Sequence, residues 1–272
     1  VQQQHPAEYM ERDLLRASNF HVGVFVITDQ LRDLIHGVEY EKVKERVNSI
    51  CRKAYEFSVS VFIDAEESWT QQAMDDMANN MMEKYNKEKA IVYNTYQLYR
   101  HDRLDFLKAS FQLASEKKYI LGAKLVRGAY MEKERARAKE KGYPSPINET
   151  KESTDKHYQD ALQFCADHIE QIAICAGTHN EKSSLLLVDL MTKKNISPSH
   201  PHIYFSQLLG MSDHISFNLS NAGYNVAKYV PYGPVKEVLP YLIRRAQENT
   251  SVKGQTGREL GLIIKEKARR KN

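Results

Sequence analysis

Two neighbouring arginines, Arg244 and Arg245, are the residues whose types and spacing most directly suggest chemistry. They lie in a segment with helical character, where spacings of i, i+3, i+4 and i+7 place four side chains on one face. These four are Tyr241, Arg244, Arg245 and Glu248. Arginine presents a rigid fork that matches a carboxylate or a phosphate through two parallel hydrogen bonds. The pair therefore suggests an anion clamp, and the alternative is a solvated charged face.

The same predicted helix carries an apolar stripe at helical spacing. The stripe consists of Val235, Val238, Leu239, Leu242 and Ala246. Such a stripe normally faces the core, so we expect it to be buried. The charged face of the helix must then meet water, a partner or a ligand.

Composition bounds the class of protein. The chain has 272 residues, of which 42% are hydrophobic and 27% charged, as in ordinary soluble domains. Its net charge of +4 is too small to argue for nucleic acid, and the basic tail from Lys265 to Lys271 is typical of a solvated helix end. No apolar run approaches the ~20 residues of a membrane span, so any membrane contact is expected to be peripheral.

The cysteines argue against a disulfide framework. Cys51, Cys165 and Cys175 are odd in number and form no C-x-x-C pair. This pattern predicts a reducing compartment. The first residues contain no apolar core of a secretion signal.

Apolar, β-branched runs alternate with amphipathic, charge-rich segments along the chain. The runs are Phe20–Thr28, Val59–Asp64, Ala90–Thr95, Ile120–Val126, Ile172–Ala176, Ile203–Phe205 and Val226–Val230. Helical segments include Glu41–Phe57, Trp69–Tyr85, Arg103–Glu116, Thr154–Ile169 and Glu181–Lys194. A spacing of roughly thirty residues between runs predicts strand–helix units and a parallel sheet. Neither a G-x-G-x-x-G nor a P-loop motif occurs, which favours a barrel over an open doubly wound sheet.

The predicted strands end in polar or small residues. Examples are Asp64–Glu67, Asn94–Gln97, Arg127–Tyr130, Thr178–Asn180, Gln207 and Tyr229–Gly233. In a β/α barrel the carboxyl ends of the strands converge on the active-site face. Loops need polar residues anyway, but so many polar ends in one chain predict a shared site.

Four collinear motifs resemble the proline dehydrogenase family, in particular its single-activity bacterial form. They are Ile63–Glu66, Lys124–Tyr130, Thr178–Asn180 and Tyr241–Asn249, and the resemblance runs from about Arg46 to the C-terminus. It implies one domain over 1–272, a distorted (β/α)8 barrel that binds FAD noncovalently at the carboxyl ends of its strands. The implied reaction oxidises L-proline to Δ1-pyrroline-5-carboxylate by hydride transfer from proline C5 to flavin N5. A membrane quinone accepts the electrons, and the expected location is the cytoplasm or the inner face of the membrane.

The resemblance also implies roles on the substrate side. Arg244 and Arg245 clamp the carboxylate of proline, and Glu248 holds their guanidinium groups in place. Asp64 lies at the polar end of the pocket near the flavin. The apolar wall around the ring comprises Leu125, Tyr130, Tyr229 and Tyr241.

On the cofactor side, the resemblance places Lys124 near flavin N5, where its charge stabilises the reduced, anionic ring. Asn94 contacts the isoalloxazine, and the 124–128 motif contributes Val126 and Gly128 through the backbone. The further implied FAD contacts are Ala65, then Thr178, His179 and Asn180 at the ribityl or pyrophosphate region, and Gln207 and Ser251 near adenosine.

Two features depart from the family pattern and leave alternatives open. The first active-site strand of the family carries K-x-[ST], and the best match here is Val26-Ile27-Thr28, with valine in place of lysine. Seven strands are clear where a closed barrel has eight, so N-terminal segments are expected to be missing.

The alternative functions are a hydroxyproline dehydrogenase, which Tyr229 at the pocket wall argues against, and a flavin-retaining barrel with impaired catalysis. A metal hydrolase would rest on His200-Pro201-His202 alone, so the prediction is no metal.

Overall fold

The computed structural model describes residues 38–231, 233–236, 238–239, 241–243, 261 and 264–270. Six parallel strands form one sheet in the order β1-β2-β3-β4-β5-β6. They are β1 Val61–Ile63, β2 Val92–Gln97, β3 Leu121–Val126, β4 Ile172–Gly177, β5 Ile203–Leu208 and β6 Val226–Tyr229. The helices between and before them are α1 Val38–Glu56, α2 Gln71–Tyr85, α3 Arg103–Lys117, α4 Met131–Lys141, α5 Lys151–Asp167, α6 Glu181–Lys193 and α7 Asp213–Asn221.

Each strand pairs with the next one along the chain, so the sheet curls into a half-barrel with its helices on the outside. Strand residues alternate between the two faces of a sheet. One set, which includes Ile63, Val92 and Leu125, packs with the helices in the main hydrophobic core. We call this side the outer face and the opposite side, which forms the concave wall of the half-barrel, the inner face.

The sequence explains where several helices begin and end. Helix α5 begins after Thr150, whose hydroxyl accepts a hydrogen bond of 3.1 Å from the backbone N–H of Ser153. Asn180 caps α6 in the same way through Ser183, also at 3.1 Å. Such caps satisfy N–H groups that have no partner within the helix. Helix α4 ends at Gly142, whose φ of 70° suits glycine.

The α/β barrel class predicted from the sequence is confirmed. Six of the seven predicted strands coincide with β1 to β6, and the seventh, Phe20–Thr28, lies outside the described residues together with Val26. Two helices were not predicted, α4 and α7. The sequence of α4 has no apolar periodicity, and its buried residues are only Glu134 and Ala138. Helix α7 is only nine residues long.

The prediction that the apolar stripe of the 235–246 segment is buried is wrong for three of its members. Val235, Leu239 and Leu242 are 78%, 49% and 47% exposed, while Val238 is half-buried. Residue 246 lies outside the described residues. Helical periodicity identifies which residues share a face, but only tertiary contacts decide whether another element covers that face.

The three cysteines are buried free thiols. Burial raises the pKa of Cys51 to about 12 and that of Cys175 to about 11, so both stay protonated at neutral pH. Among the described helices, none combines the length and the apolar character needed to cross a membrane.

Candidate functional site

The inner face of the half-barrel changes character along the strands. Near their amino ends it is aromatic, with the rings of Phe62 and Tyr93 4.9 Å apart. Toward the carboxyl ends it becomes polar. The alternation and the parallel register place on this part of the inner face Asp64, Thr95, Gln97, Lys124, Val126, Cys175, Gly177, Ser206 and Leu208.

An ion pair occupies the centre of this polar region. The Lys124 ammonium donates to Asp64 at 2.5 Å, and the Thr95 hydroxyl donates to the same carboxylate oxygen at 3.0 Å. The Lys124 and Asp64 side chains are only 16% and 17% exposed. The ammonium also lies 5.5 Å from the centre of the Phe62 ring. Three neighbouring strand ends therefore contribute to one fixed charge arrangement.

Electrostatics keep Lys124 cationic. Burial lowers the pKa of Lys124, but the nearby Asp64 carboxylate outweighs burial and raises this pKa above its ordinary value. The stabilisation from this pair is therefore fully present below the ordinary lysine pKa and is lost as pH rises through the folded value. A permanent positive charge on a concave face can stabilise negative charge that develops on a bound group.

The loop after β4 and the start of α6 form the rim beside this centre. The Thr178 hydroxyl accepts hydrogen bonds from Arg127 Nη1 at 2.8 Å and from the Asn180 N–H at 3.0 Å. His179 Nδ1 is hydrogen-bonded to the Ser212 hydroxyl at 3.1 Å. The oxygen atoms of Thr178 and Asn180 thus shape the rim, while the helix start provides a site suited to an anion.

Arg127 organises this rim, and sequence reasoning missed it. Its guanidinium donates to Asp155 at 2.7 Å, to Thr178 at 2.8 Å and to Ser183 at 3.0 Å. It also stacks on Tyr158 at 4.4 Å from the ring centre. Burial favours a higher pKa for Asp155, but hydrogen bonds from Lys151 and Arg127 lower it overall. One residue thereby connects the end of β3 with α5 and α6.

Two tyrosines, Tyr229 and Tyr130, follow or end strands of the half-barrel. Tyr229 at the end of β6 lies beside Leu208 in the sheet, and its ring centre is 5.4 Å from that of Tyr241. Tyr130, after β3, donates its phenol O–H to Glu66 in the segment after β1. Tyrosine rings near the strand ends that carry a buried cation are typical of a pocket for a small, partly apolar ligand.

Comparison with known proteins identifies the family. Residues 3–258 match the family model described as proline dehydrogenase. The chain belongs to the proline dehydrogenase family. Proline dehydrogenase 1 from Drosophila melanogaster is 41% identical over 259 residues, which cover 89% of this chain and 38% of that protein. The human proline dehydrogenase 1 is 42% identical over 236 residues, covering 86% and 39%.

Another relative is named for a different substrate. Hydroxyproline dehydrogenase from Xenopus laevis is 40% identical over 229 residues, covering 83% of this chain and 49% of that protein. The chain spans between 38% and 49% of the length of these three relatives.

Solved structures show the same fold. Proline utilization A from Bdellovibrio bacteriovorus, inactivated by N-propargylglycine, superposes with a TM-score of 0.80 at 21% identity, covering 91% of this chain and 28% of that one. A mutant of the Bradyrhizobium japonicum protein gives 0.78 at 19% identity, covering 91% and 26%. At these identities the match supports the fold alone.

Two sequence-based expectations need correction. The bacterial single-activity subtype is not supported, because relatives at about 40% identity are eukaryotic. The expected cytoplasmic location is wrong, since relatives from Drosophila melanogaster, Caenorhabditis elegans, Homo sapiens and Dictyostelium discoideum are all named mitochondrial. The sequence pattern that suggested a reducing compartment does not distinguish between compartments that keep thiols reduced.

Asn94 does not reach the inner face, contrary to the proline dehydrogenase resemblance. It is fully buried on the outer face, where its amide donates to Asp75 at 2.8 Å. Successive strand residues point to opposite faces, so Thr95 and Gln97 occupy the inner face instead. The Gln97 amide donates to the Ala65 carbonyl at 3.3 Å, and its buried Oε1 has no hydrogen-bond partner among the described residues. Alternation within β2 puts Thr95 and Gln97 on one face, but only the register with β1 and β3 shows that this is the face of Asp64 and Lys124.

Leu125 and Gln207 also point away from the inner face. Leu125 is fully buried in the main core between the sheet and the helices. Gln207 accepts a hydrogen bond of 2.8 Å from Ser216 of α7 and donates one of 3.2 Å to the Thr178 carbonyl. These positions do not support the predicted contact of Leu125 with the substrate ring, and the predicted contact of Gln207 with adenosine stays a prediction.

Gly128 of the proline dehydrogenase motif has a structural reason to be glycine that involves the protein alone. Its φ is 131°, and a Cβ built there would lie 2.5 Å from carbons of the Tyr99 ring. The preceding strand residue Val126 is fixed by its carbonyl, which accepts from Leu98 N–H at 2.8 Å. The turn after β3 therefore needs glycine whether or not a cofactor lies against it.

Replacing Gly128 with alanine is expected to lower the free energy of unfolding by about 3 kcal/mol, because strain at positive φ adds to a clash with Tyr99. Gly142→Ala is the matched control, since its φ is also positive, 70°, but nothing lies within 4 Å of its Cβ. Urea unfolding of both variants measures the difference. Equal losses would show that the Tyr99 ring moves aside freely.

The remaining predictions concern the C-terminal segment and a possible metal site. Arg244, Arg245, Glu248 and Ser251 lie outside the described residues. His200 and His202 bond locally, with His200 Nδ1 accepting from His202 N–H at 3.2 Å and His202 Nδ1 donating to the Ile169 carbonyl at 2.8 Å. In the part of the chain that the structure describes, no three His, Cys, Asp or Glu side chains are grouped to hold a metal.

Proposed function

We propose that this chain binds FAD on the inner face of the half-barrel and oxidises L-proline to Δ1-pyrroline-5-carboxylate. The observation that carries the proposal is the buried Lys124–Asp64 pair on the polar end of that face, in a chain of the proline dehydrogenase family. The proposal includes a mitochondrial location, in line with the names of the relatives. It also includes a quinone as electron acceptor, reached by peripheral contact with its membrane.

The residues present fit a flavin. Lys124 supplies a fixed cation for the electron-rich edge of the ring, and Gln97 offers a buried carbonyl oxygen that lacks a hydrogen-bond donor among the described residues. The start of α6, shaped by Thr178, His179 and Asn180, suits the pyrophosphate. Bound FAD supplies the acceptor for the hydride that leaves C5 of proline.

The chain's own side chains prepare proline for the reaction. Tyr130, Tyr229 and Tyr241 enclose the substrate ring and exclude water, and a dry pocket favours the neutral amine over the ammonium form. Asp64 orients the Lys124 ammonium and bounds the polar end of the pocket. In this proposal Arg244 and Arg245 clamp the carboxylate, with Glu248 holding their guanidinium groups.

A visible absorption spectrum recorded before and after anaerobic L-proline tests the proposal. The purified protein should show flavin absorption, and proline should bleach it. A yellow protein that proline does not bleach would indicate the alternative of a barrel that retains flavin without turnover. A colourless protein that takes up no added FAD would contradict the cofactor assignment.

Hydroxyproline oxidation is the second candidate, because a relative with that name matches at 40% identity. Tyr229 argues against it, because a large ring at the proposed pocket wall, packed against Tyr241, would leave less room for a 4-hydroxyl group. Parallel assays with L-proline and 4-hydroxyproline decide between them. Equal values of kcat/KM would contradict the preference for proline.

Replacing Arg245 with methionine is expected to raise the KM for proline about 100-fold or more, because the carboxylate would lose a charged partner in a dry site. Arg269→Met is a suitable control, since that arginine side chain is 73% exposed. Steady-state kinetics with both variants measure the effect. An unchanged KM in the Arg245 variant would place the pair outside the substrate site.

A further inference from the structure

A set of polar contacts, which we call the rim latch, fastens helix α4 to the segment that follows β1. On the α4 side, the helix start contributes Tyr130, Lys133, Glu134 and Arg137. On the other side are the four consecutive residues Glu66, Glu67, Ser68 and Trp69. The contacts pair these residues in order along both segments.

Helical spacing explains why the four α4 residues act together. They recur at i, i+3, i+4 and i+7, so they share one face of the helix. Tyr130 donates to Glu66, Lys133 donates to Glu67, and the Arg137 guanidinium lies 4.1 Å from the centre of the Trp69 ring. The order of contacts shows that this helix face runs along the segment rather than across it.

Glu134 is the buried centre of the latch. Its carboxylate is fully buried and accepts two hydrogen bonds from Ser68, one from the backbone N–H at 2.6 Å and one from the hydroxyl at 2.7 Å. A buried carboxylate is costly unless hydrogen bonds compensate it, so losing these donors or the charge weakens the whole contact.

Among the described residues, apolar burial contributes little to holding this face of α4 in place. The helix sequence is MEKERARAKEK, and its buried residues are Glu134 and Ala138. Burial of a single alanine contributes far less than the apolar stripe of an ordinary surface helix. The position of Tyr130, at the start of α4, therefore depends on polar contacts.

We propose that Glu134 is a positioning residue for proline oxidation, which fastens α4 to the segment after Asp64 and so holds the Tyr130 ring at the substrate pocket. This inference rests on the proposed function. Glu66 and Glu67 follow the pocket residue Asp64 almost directly in the chain, so the latch fixes one wall of the pocket relative to the ion pair. Nothing in this role requires Glu134 to touch substrate or cofactor.

The experiment compares Glu134→Gln with Glu132→Gln in the FAD-loaded protein. Glutamine keeps the size of the side chain but removes the charge and puts an N–H₂ group where an oxygen accepts. Glu132 is the matched control, because it lies on the same helix and is exposed. We expect Glu134→Gln to raise the KM for proline about tenfold with a much smaller change in kcat, since a displaced wall weakens binding more than chemistry. Glu132→Gln should leave both values unchanged.

A second readout reports the latch without any turnover. Trp69 is the single tryptophan of the chain and stacks on Arg137 within the latch. Its emission should move to longer wavelength, and its quenching by acrylamide should increase, in Glu134→Gln but not in Glu132→Gln. Ser68→Ala removes one of the two hydrogen bonds and should produce intermediate changes in KM and emission, which covers the case that Glu134→Gln fails to fold.

The outcomes separate the two proposals. Unchanged Trp69 emission in Glu134→Gln and Ser68→Ala would overturn the latch. Altered emission with an unchanged KM would overturn the positioning role. If the wild-type protein binds FAD but does not oxidise proline, both the proposed function and the positioning role are contradicted. Trp69 emission in the variants still decides whether the rim latch exists.

Discussion

Replacing Lys124 with methionine is expected to slow flavin reduction by proline about 100-fold and to make the midpoint potential of bound FAD more negative. The ammonium is a buried fixed charge on the inner face, and removing a preorganised charge that stabilises developing negative charge has effects of this size. Because Asp64 raises the pKa of Lys124, the cation is present throughout the neutral range, and the effect should not depend on pH there. Anaerobic stopped-flow reduction and a potentiometric titration measure the two quantities.

Asp64→Asn provides a test of opposite sign. It leaves the Lys124 cation without its carboxylate partner, so the midpoint potential should become more positive even though turnover falls. Lys193→Met controls for a general loss of charge, because that lysine side chain is 72% exposed. If Lys124→Met and Asp64→Asn shift the potential in the same direction, the pair does not act on the flavin as proposed.

Replacing Arg103 with methionine is expected to lower the free energy of unfolding by about 3 to 5 kcal/mol, the cost of leaving a buried charge without its partner. The guanidinium donates to both oxygens of Asp75 at 2.9 Å, and the two side chains are only 4% and 2% exposed. Asn94 and Gln71 complete the cluster, at 2.8 Å and 3.0 Å from the carboxylate. The cluster joins α2, β2 and α3 behind the candidate site.

The loss of unfolding free energy in Arg103→Met should depend on pH. Burial raises the pKa of Asp75, although Arg103 and the amide hydrogen bonds oppose the rise. Removing the guanidinium raises the pKa further, so the variant is least destabilised at low pH and loses stability as pH rises through the folded pKa of Asp75. Urea unfolding at several pH values measures this trend.

Two comparisons make the stability prediction specific. Arg103→Met combined with Asp75→Leu should recover much of the stability, because no unpaired charge then remains buried. Arg52→Met removes an exposed arginine that lies 4.0 Å from the Glu56 carboxylate, and should cost less than about 0.5 kcal/mol. A double variant as unstable as the single one would show that packing of Arg103 against the Phe106 ring, 4.0 Å away, dominates.

Much of the candidate site was predictable from short motifs. Asp64 and Lys124 lie in motifs that could be located without coordinates, and both occur at the carboxyl ends of strands whose apolar runs were clear. The errors concern residues whose side chains had to be assigned to one face of the sheet. Asn94, Leu125 and Gln207 each lie within one residue of a position on the inner face, and a shift of one residue reverses the side of the sheet.

The sequence by itself determined the alternating β/α architecture, the family and the charged residues at the strand ends, because these follow from local periodicity and residue type. Tertiary structure alone decided which neighbour of each strand residue faces inward, since that depends on the register between strands. It also decided the long-range polar contacts, such as Arg127 with the α6 rim and Glu134 with Ser68. Such contacts join residues more than fifty positions apart, and no local pattern specifies which distant groups will satisfy a buried charge.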